Sequence, residues 1–170
     1  MKIRLAQEKD AKAIAKVHVD SWRTTYEGVV DPDFLANMSY SEREENWSRI
    51  IPSNPPLVAE NEDGEIIGFA SSGPERSGEY PGYSSELYAI YICKEYQGKG
   101  LGKSLVSHTM DRLLEAGYES MIVIVLEENE ARFFYEALGG QRLAEGELKI
   151  GERTHRELVY GWKSLGELKV

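Results

Sequence analysis

Three glycines, Gly98, Gly100 and Gly102, stand close together between a predicted strand and a predicted helix. The segment before them, 86–93, is rich in β-branched and aromatic residues, and the segment 100–117 carries leucines at helical spacing. A glycine loop that leads into a helix leaves backbone N–H groups free, and the helix dipole adds roughly half a positive charge there. The junction therefore predicts an anion-binding site at the start of a helix.

The two common nucleotide-binding loops do not fit these residues. A P-loop requires a glycine where this chain has Gln97, and no aspartate follows within the apolar segment 120–126. A Rossmann loop requires a third glycine where this chain has Lys103, and it belongs to the first strand–helix junction of a domain. The anion is therefore not expected to be a nucleotide held by either loop.

The remaining patterns predict an α/β fold, a mixed central sheet flanked by helices. The expected elements are a strand at 2–6, helices at 8–26, 31–38 and 41–51, a hairpin at 57–73, a strand at 86–93, a helix at 100–117, a strand at 120–126, a helix at 130–140 and two strands within 141–163. The hairpin turns at Asp63-Gly64. The helix at 41–51 opens with Ser41 as its cap and Glu44 three residues later, which is a capping-box pattern.

Composition limits the kinds of partner. The 170 residues suit one domain, 1–170, and the net charge of −9 disfavours a nucleic-acid partner, which would be repelled. No apolar run approaches the length of a membrane span. The single cysteine, Cys93, suits a reducing compartment, and His18, His108 and His155 lack the spacing of metal ligands. We therefore expect a cytoplasmic protein without a metal ion.

The loop fits a third pattern, Q/R-x-x-G-x-G/A, at every fixed position of 97–102. With the buried strand after it, Asn129 and the segment "FFYEALGG", the chain resembles the GCN5-related N-acetyltransferase (GNAT) family over about residues 1–163. The resemblance implies acetyl-coenzyme A as cosubstrate, its pyrophosphate on the loop amides, and direct acetyl transfer to a primary amine. It also implies these coenzyme-binding positions: Ile90, Tyr91, Ile92, Gln97, Gly98, Lys99, Gly100, Leu101, Gly102, Lys103, Asn129 and Tyr135.

Two catalytic roles follow from the same resemblance. Tyr135 matches the family's helix tyrosine, which faces the coenzyme sulfur and acts as general acid; a phenol stays protonated at neutral pH. Glu86 stands eleven residues before Gln97, where a glutamate often activates the amine through water. Plainer interpretations stay open. Glu86 fits a strand-edge carboxylate, Tyr135 a core aromatic, and Asn129 the N-cap of the last helix.

The acceptor side is less defined by the sequence. The candidates, all on the N-terminal helices or the loop and strand around 80–88, are Trp22, Arg23, Tyr26, Tyr80, Tyr83 and Tyr88. Aromatic rings can stack on an amine or cage a cation, and Arg23 can hold a substrate carboxylate. We expect a small-molecule amine. The alternatives are a protein N-terminus or lysine side chain as acceptor, and an acyl-coenzyme A sensor without turnover.

Two further expectations come from the resemblance. A homodimer would form through the C-terminal strands. Family members often have Gly-Phe after the last helix, whereas this chain has Gly139-Gly140. The difference puts the local geometry at the start of the next strand in question.

Overall fold

A computed structural model describes the whole chain, residues 1–170. The strands are β1 (Lys2–Leu5), β2 (Leu57–Glu60), β3 (Ile66–Pro74), β4 (Ser85–Ile92), β5 (Met121–Leu126), β6 (Gln141–Ile150) and β7 (Arg153–Trp162). The helices are α1 (Ala11–Thr25), α2 (Pro32–Ala36), α3 (Tyr40–Ile50), α4 (Leu101–Glu115) and α5 (Ala131–Ala137), with short 3₁₀ turns at Glu8–Asp10, Lys94–Tyr96 and Leu165–Glu167. The predicted order of elements is confirmed.

The strands form one seven-stranded sheet in the order β1-β2-β3-β4-β5-β7-β6. Every neighbouring pair is antiparallel except β4 and β5, which are parallel. The crossover between these two central strands is α4, as a parallel connection requires. The predicted α/β fold with a mixed sheet flanked by helices is therefore confirmed.

The two faces of the sheet bury separate apolar cores. The face that carries α4 and α5 holds the largest core, with Leu105 and Trp162 at its centre. The opposite face holds two smaller cores. Trp47 and Phe69 lie in the one beneath α1 and α3, and Val30 lies in the one near α2. The core to which a side chain belongs therefore shows on which face of the sheet that side chain lies.

An irregularity in β4 opens the centre of the sheet. Ser71 of β3 lies opposite Ala89, but Ser72 lies opposite Leu87, so that Tyr88 is an extra residue in β4. Such a bulge bends the strand that carries it. On its other side, β4 pairs with β5 only as far as Leu87. Beyond the bulge the two parallel strands diverge and leave a gap between them.

The starts of α1 and α3 differ from the sequence prediction, and α2, α4 and α5 end earlier than predicted, at Ala36, Glu115 and Ala137. Residues 8–10 form a 3₁₀ turn, so that α1 begins only at Ala11. The cap of α3 is Ser39 and not Ser41: the Ser39 hydroxyl accepts the Glu42 N–H at 3.2 Å. Both serines have a glutamate three residues later, so the spacing alone could not distinguish them.

The second glycine after α5 has a packing reason. A Cβ added at Gly140 would lie 2.9 Å from the Trp162 ring and 2.9 Å from the Tyr135 carbonyl oxygen. A side chain there would displace the Trp162 indole, which is almost fully buried. Gly140, where family members often have Phe, thus leaves the space that Trp162 of β7 occupies.

The edge strands of the sheet are β1 and β6. Most residues of β6 are exposed, and a homodimer through these C-terminal strands stays a prediction. None of the helices has the length and apolar character needed to cross a membrane.

Candidate active site

The gap between β4 and β5 opens into a cavity of about 840 Å³. Its walls include Tyr88–Ile92 of β4 and Val123–Leu126 of β5. The cavity reaches both faces of the sheet. Ile90 and Val125 border the core beneath α4, whereas Leu126 belongs to the core near α2. The cavity therefore passes through the sheet, with one mouth on each face.

The glycine loop borders the mouth on the α4 face. Gly98 and Gly100 have φ angles of +73° and +85°, a backbone region that side chains rarely adopt. The backbone N–H groups of 98–103 donate to no backbone carbonyl. Free N–H groups at a helix start are suited to bind an anion, so the residues present fit a pyrophosphate. The Gln97 amide fixes the loop by donating to the Ile92 carbonyl at 3.0 Å.

Gly102 allows the loop to lie close to α5. A Cβ at this position would lie 3.3 Å from the Phe134 ring and 3.6 Å from the Ile92 side chain. Any larger side chain would separate the first turn of α4 from Phe134, which itself lines the cavity. The glycine thus places the free amides beside the cavity.

The backbone of β4 presents free groups to the gap at alternate residues. The Cys93 N–H donates to Ile67 of β3, so Cys93 directs its backbone towards β3. Because backbone groups alternate along a strand, those of Tyr91 face β3, and those of Ile90 and Ile92 face the gap. Ile90 therefore has a free N–H and C=O at the cavity. The Ile92 carbonyl already accepts from Gln97.

Tyr135 of α5 lies on the α4 face of the cavity. Its side chain is 5% exposed and contributes to the cavity wall. Its ring packs edge-on against Trp162 at 6.4 Å between centroids. Burial, with smaller effects of Tyr91 and Tyr26, raises the pKa of Tyr135 above the usual range of a phenol. The hydroxyl therefore stays protonated at neutral pH.

Two hydrogen bonds fix tyrosines on the opposite mouth. Trp22 Nε1 donates to the Tyr91 hydroxyl at 2.9 Å, and Asn129 Nδ2 donates to the Tyr26 hydroxyl at 3.1 Å. The Trp22 and Tyr26 rings lie 4.7 Å apart. Asn129 Oδ1 also accepts the Ala131 N–H at 2.9 Å, as an N-terminal cap of α5 would. Asn129 thus joins the start of α5 to α1.

The Glu86 carboxylate is buried and bonded to Arg76 at 3.0 Å. Glu86 does not contribute to the cavity wall, unlike its neighbour Tyr88. Arg76 in turn lies over the Tyr88 ring at 4.0 Å. The predicted base therefore lies behind the wall of the cavity, next to Tyr88.

Other predicted site residues also lie away from the cavity wall. The Arg23 guanidinium donates to the carbonyl oxygens of Leu35 and Met38, at 3.1 and 3.0 Å, at the end of α2. The Tyr83 ring lies against Gly161 of β7. Three more residues are absent from the wall: Tyr80, Lys99 and Leu101. The Leu101 backbone N–H is nevertheless one of the free N–H groups of 98–103.

Charge is unevenly distributed around the cavity. Lys103, in the first turn of α4, is the only basic side chain of the wall. The acidic ones are Glu128, Glu130 and Glu157, and burial raises the pKa of Glu157. Glu128 bonds to His155 Nδ1 at 2.9 Å. The mouth opposite the glycine loop therefore favours a cation at longer range.

Sequence reasoning missed several residues of the wall. Ser21, Thr24 and Thr25 stand beside Trp22 and Tyr26 at the end of α1, and that proximity in sequence could have revealed them. The others include Ile124 of β5, Leu148 and Ile150 of β6, Glu157 of β7 and Phe134 of α5. They reach the cavity only through the pairing of the strands and the packing of α5, which no local pattern shows.

Known proteins resemble the chain over nearly its whole length. The model of the acetyltransferase (GNAT) family matches residues 13–139. The uncharacterized N-acetyltransferase YuaI of Bacillus subtilis is 44% identical over 168 residues, 98% of this chain and 95% of that protein. The L-amino acid N-acyltransferase MnaT of Escherichia coli is 29% identical over 143 residues, 82% of this chain and 78% of that protein.

A solved structure gives the same result. The structure of yncA from Salmonella typhimurium, with its cofactor acetyl-CoA, superimposes with a TM-score of 0.71. It is 26% identical and covers 97% of this chain and 94% of that one. The glycine loop, the gap in the sheet and these matches agree, and the chain belongs to the GNAT family of N-acetyltransferases.

Proposed function

We propose that the protein transfers the acetyl group of acetyl-coenzyme A to the primary amine of a small molecule. One observation carries this proposal: the cavity passes through the sheet, with an anion site on one face and an aromatic mouth on the other. Such a passage allows two substrates to approach from opposite faces and meet in the gap. Bringing them together in a fixed geometry lowers the entropic part of the barrier.

The α4 face holds the coenzyme. The free amides of 98–103 bind its pyrophosphate, and Lys103 adds a positive charge beside them. The pantetheine arm lies in the gap and pairs with the free N–H and C=O of Ile90 and with the N–H of Ile92, whose carbonyl is taken by Gln97. The structure of yncA with its cofactor acetyl-CoA supports acetyl-coenzyme A as the ligand, since that fold is shared.

The reaction is a direct attack. The neutral amine nitrogen bonds to the thioester carbonyl carbon, and the carbon–sulfur bond breaks. The Ile90 N–H donates to the carbonyl oxygen as negative charge develops there. Tyr135 donates its hydroxyl proton to the departing sulfur, and the proton that the attacking nitrogen loses on forming the amide passes through solvent to restore the phenol. The products are an N-acetylated amine and free coenzyme A.

The amine must lose a proton before or during the attack. Glu86 lies behind Tyr88 and is bonded to Arg76, so that it can act only through an intervening water or after Arg76 moves. The Glu86 carboxylate remains our proposed base in that indirect role. The acidic wall at Glu128 and Glu157 attracts the ammonium form of the amine to this mouth.

The acceptor is a small molecule, and amino acids are the first class to test. The similarity to MnaT, an L-amino acid N-acyltransferase, supports this choice. The cavity volume of about 840 Å³ suits a small molecule together with part of the coenzyme.

The deciding experiment measures free-thiol release from acetyl-coenzyme A across amino acids, polyamines, aminoglycosides and short peptides. Turnover with a small amine, at more than ten times the rate with peptides, is the expected result. Turnover with peptides alone would replace the small-molecule acceptor by a protein. Tight binding of acetyl-coenzyme A by titration calorimetry, with no thiol release for any acceptor, would favour the acyl-coenzyme A sensor.

A further inference from the structure

Two phenol hydroxyls on the mouth opposite the glycine loop have no protein acceptor for their protons. The Tyr91 oxygen accepts from Trp22 Nε1, and the Tyr26 oxygen accepts from Asn129 Nδ2. Neither hydroxyl donates to any protein atom, and both side chains line the cavity. A polar hydrogen without a partner at a cavity wall is a position where a ligand atom can bind.

The direction of both hydrogen bonds follows from chemistry. An indole nitrogen can only donate, so Tyr91 must accept from Trp22. Asn129 Oδ1 is occupied by the Ala131 N–H, so the amide NH₂ of Asn129 must face Tyr26. Each phenol oxygen therefore has a lone pair engaged by an N–H group. Its own proton turns away from that donor and remains available to a ligand.

No cationic side chain competes for the same ligand group. Lys103 is the only basic residue of the wall, and it lies in the first turn of α4 beside the glycine loop. Arg23 donates to the carbonyls at the end of α2, and Arg76 is bonded to Glu86. An oxygen atom of the acceptor molecule would therefore meet neutral O–H donors on this mouth instead of a guanidinium.

Burial keeps the hydroxyls of Tyr26 and Tyr91 protonated, so that both can donate a hydrogen bond. It raises the pKa of Tyr26 and of Tyr91, and a hydrogen bond to the phenol oxygen only partly opposes the rise. The Tyr91 ring is also held in place by stacking on His18, with 5.2 Å between ring centroids and 20° between planes. Both hydroxyls thus stay protonated and fixed over the physiological range of pH.

We propose that Tyr26 and Tyr91 form a donor pair that binds an oxygen of the acceptor amine, either a carboxylate or an amide oxygen. Trp22 and Asn129 are positioning residues, which act by turning the phenol protons into the cavity. The inference rests on the proposed function and deepens it. The acceptor is then an amine that carries an oxygen close to its nitrogen, as an amino acid or its amide does.

Three matched amines test the pair. Leucine, leucinamide and 3-methylbutylamine share one side chain, but the last has no oxygen. Their binding to the complex of the protein with coenzyme A is measured by titration calorimetry. Tyr91→Phe and Tyr26→Phe should each weaken binding of leucine and leucinamide by about tenfold, as expected for one lost hydrogen bond. Binding of 3-methylbutylamine should change by less than about twofold.

A double-mutant cycle tests the positioning role. Trp22→Phe removes the N–H donor and should weaken leucinamide binding by about threefold. That loss should disappear when Tyr91 is already phenylalanine, because Trp22 then has no hydroxyl to orient. A purely structural role of Trp22 would give the same loss in both backgrounds. Tyr118→Phe, at a tyrosine outside the cavity wall, is the control and should change none of these values.

Two results would overturn the pair. One is a wild-type protein that binds leucinamide no better than 3-methylbutylamine. The other is an equal loss for all three amines in the Tyr91→Phe and Tyr26→Phe proteins. Thiol release is measured in parallel. The expected binding pattern without thiol release would contradict the proposed function and leave the pair intact. Thiol release together with an equal loss of binding for all three amines would support the proposed function and contradict the donor pair.

Discussion

The two mouths of the cavity are built in different ways. The mouth on the α4 face is formed by consecutive residues, and its working groups are the backbone amides of 98–103. The opposite mouth is formed by side chains from separate elements, joined across 69 residues for Trp22 and Tyr91 and across 103 residues for Tyr26 and Asn129. A backbone site tolerates side-chain variation, so this difference explains how a family can keep one coenzyme and change acceptors.

The largest effect on turnover should come from Tyr135, which acts on the coenzyme side through its side chain and not through its backbone. Tyr135→Phe removes the proton donor to the sulfur and should lower kcat by about 100-fold. Affinity for acetyl-coenzyme A, measured by titration calorimetry, should stay unchanged. Tyr160→Phe is the control, because that buried hydroxyl bonds to Glu136 outside the cavity wall. Wild-type turnover in Tyr135→Phe would show that backbone groups and water suffice on this side.

The acceptor side should lose stability in acid. Burial, and secondarily Arg43, lowers the pKa of His18 to about 4, whereas the unfolded chain titrates near 6.5. The unfolded state therefore binds more protons below pH 6.5, and the contribution of neutral His18 is lost as pH falls towards 4. From pH 7 to pH 4.5 this should lower the free energy of unfolding by about 2 kcal/mol.

Urea unfolding at the two pH values checks this prediction. His18→Gln should show a smaller fall in the free energy of unfolding than wild type. His108→Gln, at an exposed histidine of α4, should behave like wild type. An equal fall in all three proteins would mean that the packing of His18 against Tyr91 does not make this mouth sensitive to acid.

The coenzyme side should respond to backbone strain. Gly100→Val forces a β-branched residue into a left-handed conformation and should weaken acetyl-coenzyme A binding by about tenfold. Gly64→Val is matched in φ, +79° against +85°, and lies at the distant hairpin turn. Both variants should lose stability, but only Gly100→Val should lose affinity. Equal affinities would mean that the loop amides do not hold the pyrophosphate.

The smallest effect is expected at Glu86. Glu86→Gln should lower kcat/KM for the amine by about threefold at neutral pH and move the pH–rate profile towards higher pH, because solvent must then deprotonate the amine. Glu79→Gln, at an exposed glutamate of the loop that precedes β4, is the control. A pH–rate profile that does not move would mean that water alone removes the proton of the amine.

The sequence predicted the local part of this molecule and much less of the rest. The order of elements and the glycine loop could be predicted, because each depends on neighbouring residues or on the resemblance. Arg23 shows the limit. Its residue type suits a substrate carboxylate, but its partners are main-chain oxygens of Leu35 and Met38, which have no signature in sequence. The Trp22–Tyr91 bond likewise depends on tertiary packing.

The extra residue at Tyr88 has a consequence for how such a protein can change. Side chains alternate between the faces of a strand, so one inserted residue exchanges the faces for everything on one side of it. Leu87 and Ile90 both contribute to the core beneath α4, which is possible only because of this offset. Deletion of one codon would place Leu87 on the opposite face, extend the pairing of the central strands and close the passage. A single extra amino acid in β4 thus decides whether the centre of this sheet is closed or open to a substrate.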